Sequence, residues 1–218
     1  MPRIIDVLLS ILALLVLLPL FIPIVAILLL TGEHKVFYSQ TRVGYKNQNF
    51  KILKFATMLS NSANMGSGSL TLKNDPRVLP FGSFLRKTKI NELPQILNIL
   101  IGDLSIVGPR PQMRVDFKKY SDEVQRKIYN VRPGLTGIGS IVFRDEESLI
   151  SAAPEKENPH DFYERVIAPY KGELEMWYQE NRNLILDFQL IFMTAWVIVF
   201  PETRLYEKWF KDLPKRNF

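Results

Sequence analysis

Apolar side chains fall along this chain in blocks, and their spacing changes from one end to the other. Residues 7–30 carry no charge, and only Ser10, Pro19 and Pro23 interrupt a run of Leu, Ile, Val, Ala and Phe. As a helix these 24 residues would extend about 36 Å, enough to cross a hydrocarbon core of about 30 Å. The run is too long for a signal-peptide core, and Thr31-Gly32-Glu33-His34-Lys35 follows in place of a small-residue cleavage site. Pro19 removes a backbone hydrogen bond near the middle of the run, and Pro23 removes another one turn later. Periodicity alone favours one straight span. A bent hairpin that enters and leaves the same leaflet, with halves of about 18 Å, is the alternative.

Beyond residue 32 the pattern becomes that of a soluble domain. Residues 35–40 and 48–55 read as two strands joined by a turn containing Gly44 and Asn47. Residues 60–69 form a Ser/Asn/Gly-rich loop. Residues 81–102 have helical spacing at Leu85, Leu93, Ile96, Leu97 and Leu100. Pro94 inside this stretch suggests a helix capped by Asn91, with Pro94 in its first turn. Residues 116–130 read as a polar amphipathic helix. The segments Gly108-Pro109-Arg110-Pro111 and Arg132-Pro133-Gly134-Leu135-Thr136-Gly137 read as tight loops. Residues 185–200 are apolar again except for Asp187, Gln189 and Thr194, and a basic tail follows Pro201. That helix suits either an interfacial position on anionic headgroups or a buried core.

Composition narrows the function. The chain has 218 residues, no cysteine and two histidines, so disulfides and thiolate metal sites are excluded and a zinc centre is not expected. Its net charge of +6 points to an anionic partner. No Walker-type loop, dinucleotide-binding Gly-x-Gly-x-x-Gly, His-Glu-x-x-His or Gly-x-Ser-x-Gly is present. The basic residues form no single stripe and no nucleic-acid motif, so nucleic acid is not an expected partner.

Unusual short motifs cluster between Arg86 and Gly137. Glu92 and Asp103 are acids within one short stretch, and Arg86, Arg110 and Arg132 offer planar forks suited to phosphate. The prolines around Arg110 hold its backbone with little entropy left to lose. Beside an apolar segment, this set suits phosphate chemistry on a lipid.

The strings Leu85-Arg86-Lys87-Thr88, Asn91-Glu92-Leu93-Pro94-Gln95, Gly102-Asp103-Leu104-Ser105 and Gly108-Pro109-Arg110-Pro111 resemble the bacterial sugar transferase family, the monotopic phosphoglycosyl transferases. So do Gln40-x-Arg42-Val43-Gly44, Lys54-Phe55-x-Thr57-Met58, Asp75-Pro76-Arg77 and the Arg132 motif. The resemblance runs from the N-terminal helix to about Phe200 and implies a minimal catalytic unit. It implies an α+β, mostly helical fold with a proline-broken, re-entrant membrane helix over residues 1–32. A small cytosolic catalytic domain with a short hairpin follows over 33–183, then an interfacial helix and basic tail over 184–218. It further implies transfer of a sugar-1-phosphate from a UDP-sugar to undecaprenyl phosphate, with release of UMP, as the first step of glycan or polysaccharide assembly.

On this resemblance the catalytic pair is Asn91 and Glu92. Arg86, Arg110, Arg132 and Lys54 bind phosphate or nucleotide, and Mg²⁺ is held through Asp103 and Glu92. The implied location is the cytosolic face of the bacterial inner membrane, against anionic phospholipid, with a homo-oligomer compatible. Two positions depart from the family pattern: Asn91 stands where its Asp nucleophile is usual, and Ala56 where an Arg is usual. The first keeps open a second reading, a catalytically silent member that scaffolds a membrane glycosylation complex. The charged stretch from Arg144 to about Arg165 suggests a donor-binding wall particular to this branch.

Overall fold

The computed structural model describes residues 1–66, 68, 70–152 and 158–218, so parts of the Ser/Asn/Gly-rich loop and of the charged stretch at 144–165 lie outside the described residues. The fold is α+β and mostly helical, with 55 % of residues in helices. Helix α1 (Arg3–Leu30) takes up the apolar run, and Pro19 and Pro23 lie inside it. It is long and apolar enough to cross a membrane. Its two ends dock on the same globular body. At the N-terminal end the Arg3 guanidinium donates to the carbonyls of Ile99 and Leu100. Asp6, buried, accepts from Ser105 Oγ at 2.9 Å and from the Ile106 amide at 2.9 Å. At the other end Ile24 and Leu28 pack into a small core with Phe55 and Leu85. Between these anchors Leu12, Leu15, Val16 and Leu18 are exposed.

Strands β1 (Phe37–Val43) and β2 (Asn49–Phe55) pair antiparallel, with Tyr38 opposite Lys54 and Gln40 opposite Ile52. The connecting turn places Lys46 and Asn47 in the left-handed region. Side chains alternate faces along a strand, so Tyr38, Gln40 and Arg42 share one side of the hairpin, and all three line the main cavity.

The helical stretch over 81–102, expected to restart near Asn91, is three pieces. Helix α2 (Pro80–Lys87) ends where the Thr88 hydroxyl bonds back to the Phe84 and Leu85 carbonyls. Lys89 then takes a left-handed conformation (φ 60°), which no continuing helix accommodates. A 3₁₀ turn spans Ile90–Glu92, and helix α3 (Gln95–Ile101) closes at Gly102. The cap position of α3 is held by Pro94, and Asn91 makes no capping bond. The expected helix over 116–130 is likewise two short ones, α4 (Arg114–Phe117) and α5 (Asp122–Lys127). Ser121 caps α5 by accepting from the Val124 amide, so the chain restarts there.

The residues just before the Gly108 loop pair in parallel with part of the Arg132–Gly137 loop, as β3 (Ser105–Val107) with β4 (Gly134–Thr136). Their glycines explain the fit. A Cβ on Gly134 would lie 2.1 Å from the Gly108 nitrogen, and one on Gly137 would lie 2.2 Å from the Gly108 oxygen. Backbone meets backbone here, and a side chain at either position would force the pair apart.

The remaining helices are α6 (Ile138–Val142), α7 (Glu146–Ser151), α8 (Pro159–Phe162), α9 (Ala168–Asn181), α10 (Leu184–Val199) and α11 (Leu205–Trp209), with a π turn over Tyr163–Ile167 before α9. The larger core gathers Ile138, Ile167, Leu174, Leu190 and Met193 from these elements. Helix α10 buries one apolar face and leaves a second apolar face exposed. Leu186, Leu190, Met193 and Val197 enter the core, while Ile185, Phe188 and Phe192 stay exposed.

Candidate active site

A cavity of about 470 Å³ opens between the hairpin, the 3₁₀ turn, the Pro109-Arg110-Pro111 loop and helices α6, α7 and α10. At its polar end Glu92 Oε1 sits 3.1 Å from Lys54 Nζ and 3.2 Å from Arg110 Nη2. No hydrogen bond to Glu92 Oε2 forms among the described residues. Local structure delivers each group. Lys54 projects from the next-to-last position of strand β2, Glu92 from the 3₁₀ turn after Lys89, and Arg110 from a loop with two prolines. Arg110 Nη1 also reaches Ser140 Oγ at 3.3 Å.

Burial alone would push the Glu92 carboxyl up, but the charges of Lys54, Arg110 and Lys89 overcome it and hold Glu92 well below the usual carboxylate range. Burial pulls Lys54 down to about 8, with Glu92 opposing and Arg42 and Arg110 adding to the fall. Glu92 keeps Arg110 above its ordinary value despite burial. Near neutral pH the trio is therefore one anion between two cations.

Five of the seven residues expected at the site line this cavity: Lys54, Arg86, Asn91, Glu92 and Arg110. Arg86 pairs with Glu147 on α7. Asn91 is buried, and its Oδ1 has no partner. Asp103 and Arg132 are not among the lining residues. The Asp103 carboxylate faces the Asn98 amide at 3.4 Å, and Arg132 Nε donates to the Gly102 carbonyl at 2.8 Å with its guanidinium over the Tyr45 ring. A distance of 30 or so residues in sequence from Gly102 hides that contact from any reading of spacing.

Sequence reasoning named no role for Arg42, Lys89, Ser140 or the Lys171–Glu146 ion pair, all of which line the cavity. Arg42 was recoverable, because it lies two residues from Gln40 on the same strand face, and its Nη2 donates to Gln40 Oε1 at 2.5 Å. The cavity lining holds seven Lys or Arg side chains against four Asp or Glu. A pocket with that surplus suits a polyanionic ligand such as a diphosphate.

Metal binding was tested on the donors present. Among the described residues no cluster of three His, Cys, Asp or Glu side chains could hold an ion. Asn91 Oδ1 is a buried oxygen without a partner beside Glu92, and magnesium is commonly held by one or two protein oxygens together with substrate phosphates. The residues fit an ion that arrives with a diphosphate, and do not form a complete cage of their own.

Comparison with known proteins identifies the family. The family model described as bacterial sugar transferase matches residues 1–201. The exopolysaccharide production protein ExoY of Rhizobium meliloti is 38 % identical over 203 residues, covering 87 % of this chain and 81 % of the relative. Its counterpart in Sinorhizobium fredii is 35 % identical with the same coverage. The UDP-N-acetylgalactosamine-undecaprenyl-phosphate N-acetylgalactosaminephosphotransferase of Aeromonas hydrophila is 32 % identical over 89 % of this chain but only 42 % of its own length. A family match over residues 1–201, with relatives of 35 % and 38 % identity that are covered over most of their length, leaves one assignment: the chain belongs to the bacterial sugar transferase family.

Proposed function

We propose that this protein transfers a sugar-1-phosphate from a UDP-sugar to undecaprenyl phosphate and releases UMP, at the cytosolic face of a bacterial inner membrane. The observation that carries the reading is the Glu92 carboxylate held by Lys54 and Arg110 inside a cation-rich cavity. The names of the relatives from Aeromonas and Salmonella, which specify undecaprenyl-phosphate sugar phosphotransferases, support the acceptor.

In the proposed reaction Lys54 and Arg110 hold Glu92 Oε1 and turn Oε2 toward the cavity. Oε2 attacks the β-phosphorus of the donor. The bond between that phosphorus and the bridging oxygen breaks, and UMP leaves with the electron pair. The cationic lining, Arg110 foremost, stabilises the charge that develops on the departing phosphate. An oxygen of the lipid phosphate then attacks the same phosphorus. This forms the new diphosphate and returns Glu92 as a free carboxylate. Asn91 Oδ1 would hold Mg²⁺ together with the donor's diphosphate, and the ion would supply charge neutralisation there.

The direct test is UMP release from a panel of UDP-sugars with purified protein and undecaprenyl phosphate. At least one donor should yield UMP in proportion to lipid product. Silence across the panel in the presence of Mg²⁺ would overturn the enzyme reading in favour of a scaffold, and a positive donor would identify the sugar.

Helix α1 is proposed to re-enter the membrane. Arg3 and Asp6 bind the same globular body that packs against Ile24 and Leu28, and one folded body cannot occupy both sides of a bilayer. The exposed middle of the helix, including the prolines, would then sit among lipid tails. The chain has no native cysteine, so Pro2→Cys and His34→Cys report topology without background. Both should react only from the cytosolic side, and labelling of position 2 from the periplasm would refute re-entry. Adding Pro19→Ala restores a ladder bond in the exposed middle and should move part of the population to a spanning form.

A further inference from the structure

One buried acid is unused by the proposed reaction. Glu175 on α9 is 1 % exposed, and its Oε2 has no hydrogen-bond partner. Its Oε1 accepts from the Arg110 backbone N–H at 3.2 Å. The fit is close: a Cβ on Gly139 would lie 2.3 Å from that oxygen, so any side chain there would push the Glu175 carboxyl from its place. Tyr129, also fully buried, holds the other side of the same loop. Its hydroxyl donates to the Arg110 carbonyl at 2.8 Å and accepts from the Gln112 amide at 3.0 Å.

We propose that Glu175 and Tyr129 are positioning residues, which clamp both faces of the Arg110 peptide so that its guanidinium meets Glu92 and Ser140. The chemistry favours this over simple packing. Burying a carboxyl with an unpaired oxygen is costly, and an apolar side chain would fill the space more cheaply. The hydrogen bond gained in return goes to the backbone of the residue whose side chain completes the Glu92 site. Prolines at 109 and 111 restrict the loop's φ angles, and Glu175 and Tyr129 fix what the prolines leave free.

The groups facing Glu175 are Lys171 and Tyr178 on its own helix, Arg110 and Gly139 across from it, and Tyr120 and Tyr129 nearby; Lys171 is itself bound to Glu146. Burial pushes Glu175 up to about 7 against the pull of the Arg110 N–H and of the Lys171 and Arg110 charges. Its folded value thus lies above its unfolded one. The stability linked to its proton is present below about 4.5 and lost as pH rises through about 7.

The role of Arg110 in this clamp rests on the transferase reading, so the test includes measurements that do not depend on turnover. Glu175→Gln keeps an oxygen for the Arg110 N–H and should leave kcat and KM within about twofold, while removing the wild-type loss of melting temperature between pH 5 and 8. Glu175→Ala should speed hydrogen exchange at the Arg110 amide at least about tenfold. It should also lower kcat about tenfold or more with little change in KM for the lipid, since small misplacements of a reacting group carry penalties of that size. Tyr129→Phe releases the opposite face and should lower kcat in the same way, which covers the case of an unfolded Ala variant. Unchanged Arg110 exchange in folded Glu175→Ala overturns the clamp whether or not the chain releases UMP. So does wild-type kcat in both Glu175→Ala and Tyr129→Phe. Faster exchange in a chain that releases no UMP would support the clamp and sink only the transferase reading.

Discussion

Glu92→Gln is expected to lower UMP release by about 10³-fold or more, the scale seen when a group that bonds to the reacting atom is removed. The amide keeps the shape of the side chain and can still accept from Lys54 and Arg110, so the geometry of the 3₁₀ turn has little reason to change. What disappears is the charge. Without it no oxygen at this position can attack the β-phosphorus at a useful rate. The neighbours change as well. Glu92 is the charge that opposes the fall of Lys54, which burial already holds at about 8. In the variant Lys54 loses that support and should give up its proton nearer neutral pH, which further weakens the site's hold on a diphosphate. Intact mass after incubation with the UDP-sugar alone provides the second measurement. The unaltered protein should gain one sugar phosphate, and Glu92→Gln should gain none. Turnover within tenfold of the starting enzyme would remove Glu92 from the reaction.

How much of this was legible without coordinates depended on whether the information was local. The long apolar N-terminal helix, the hairpin and α10 were readable because hydrophobic period and turn residues report directly on them. Within 81–102 the restart near Asn91 was signalled by Pro94, but the break itself lies in the left-handed φ of Lys89, a residue type that gives no such signal, and the cap falls at Pro94. The parallel pair β3–β4 was missed for a different reason. Its partners are about thirty residues apart, only three residues long and flanked by glycine and proline, so neither alone gives a strand signal. In the site, Lys54, Glu92 and Arg110 were nameable from motif resemblance, but their convergence on one carboxylate oxygen comes from tertiary structure. Arg132 was named by the same residue-type logic as Arg110, a guanidinium beside Pro-Gly being suited to phosphate, and here it donates to the Gly102 carbonyl and covers Tyr45, a contact that spacing does not report. Glu175 carried no signal in sequence at all, since an acid within a helix that also presents Lys171 and Glu173 reads as one more solvated charge.

Asn91→Asp carries the second large effect, an expected gain of about tenfold or more in turnover. Asn91 lies against the cavity with its Oδ1 buried and unpaired, a position that costs stability unless a ligand satisfies it. Asp has the same shape there. A new carboxylate next to Glu92 would ordinarily be opposed by like-charge repulsion, which raises the pKa of one of the two acids. This cavity offsets that repulsion, because its lining holds seven Lys or Arg side chains against four acids, with Lys54, Lys89 and Arg110 already drawing Glu92 down. The added carboxylate should therefore ionise, bind Mg²⁺ more tightly than the amide does, and offer a second nucleophile. Three measurements separate these consequences. The Mg²⁺ concentration for half-maximal rate should fall. Asn91→Asp combined with Glu92→Gln should recover the sugar-phosphate adduct that Glu92→Gln alone lacks. Fragmentation of the labelled Asn91→Asp protein should place part of the adduct at position 91. If the double variant stays unlabelled and Asn91→Asp turns over no faster than the starting enzyme, then position 91 has no part in bond formation in this chain, and Glu92 alone supplies the attacking oxygen.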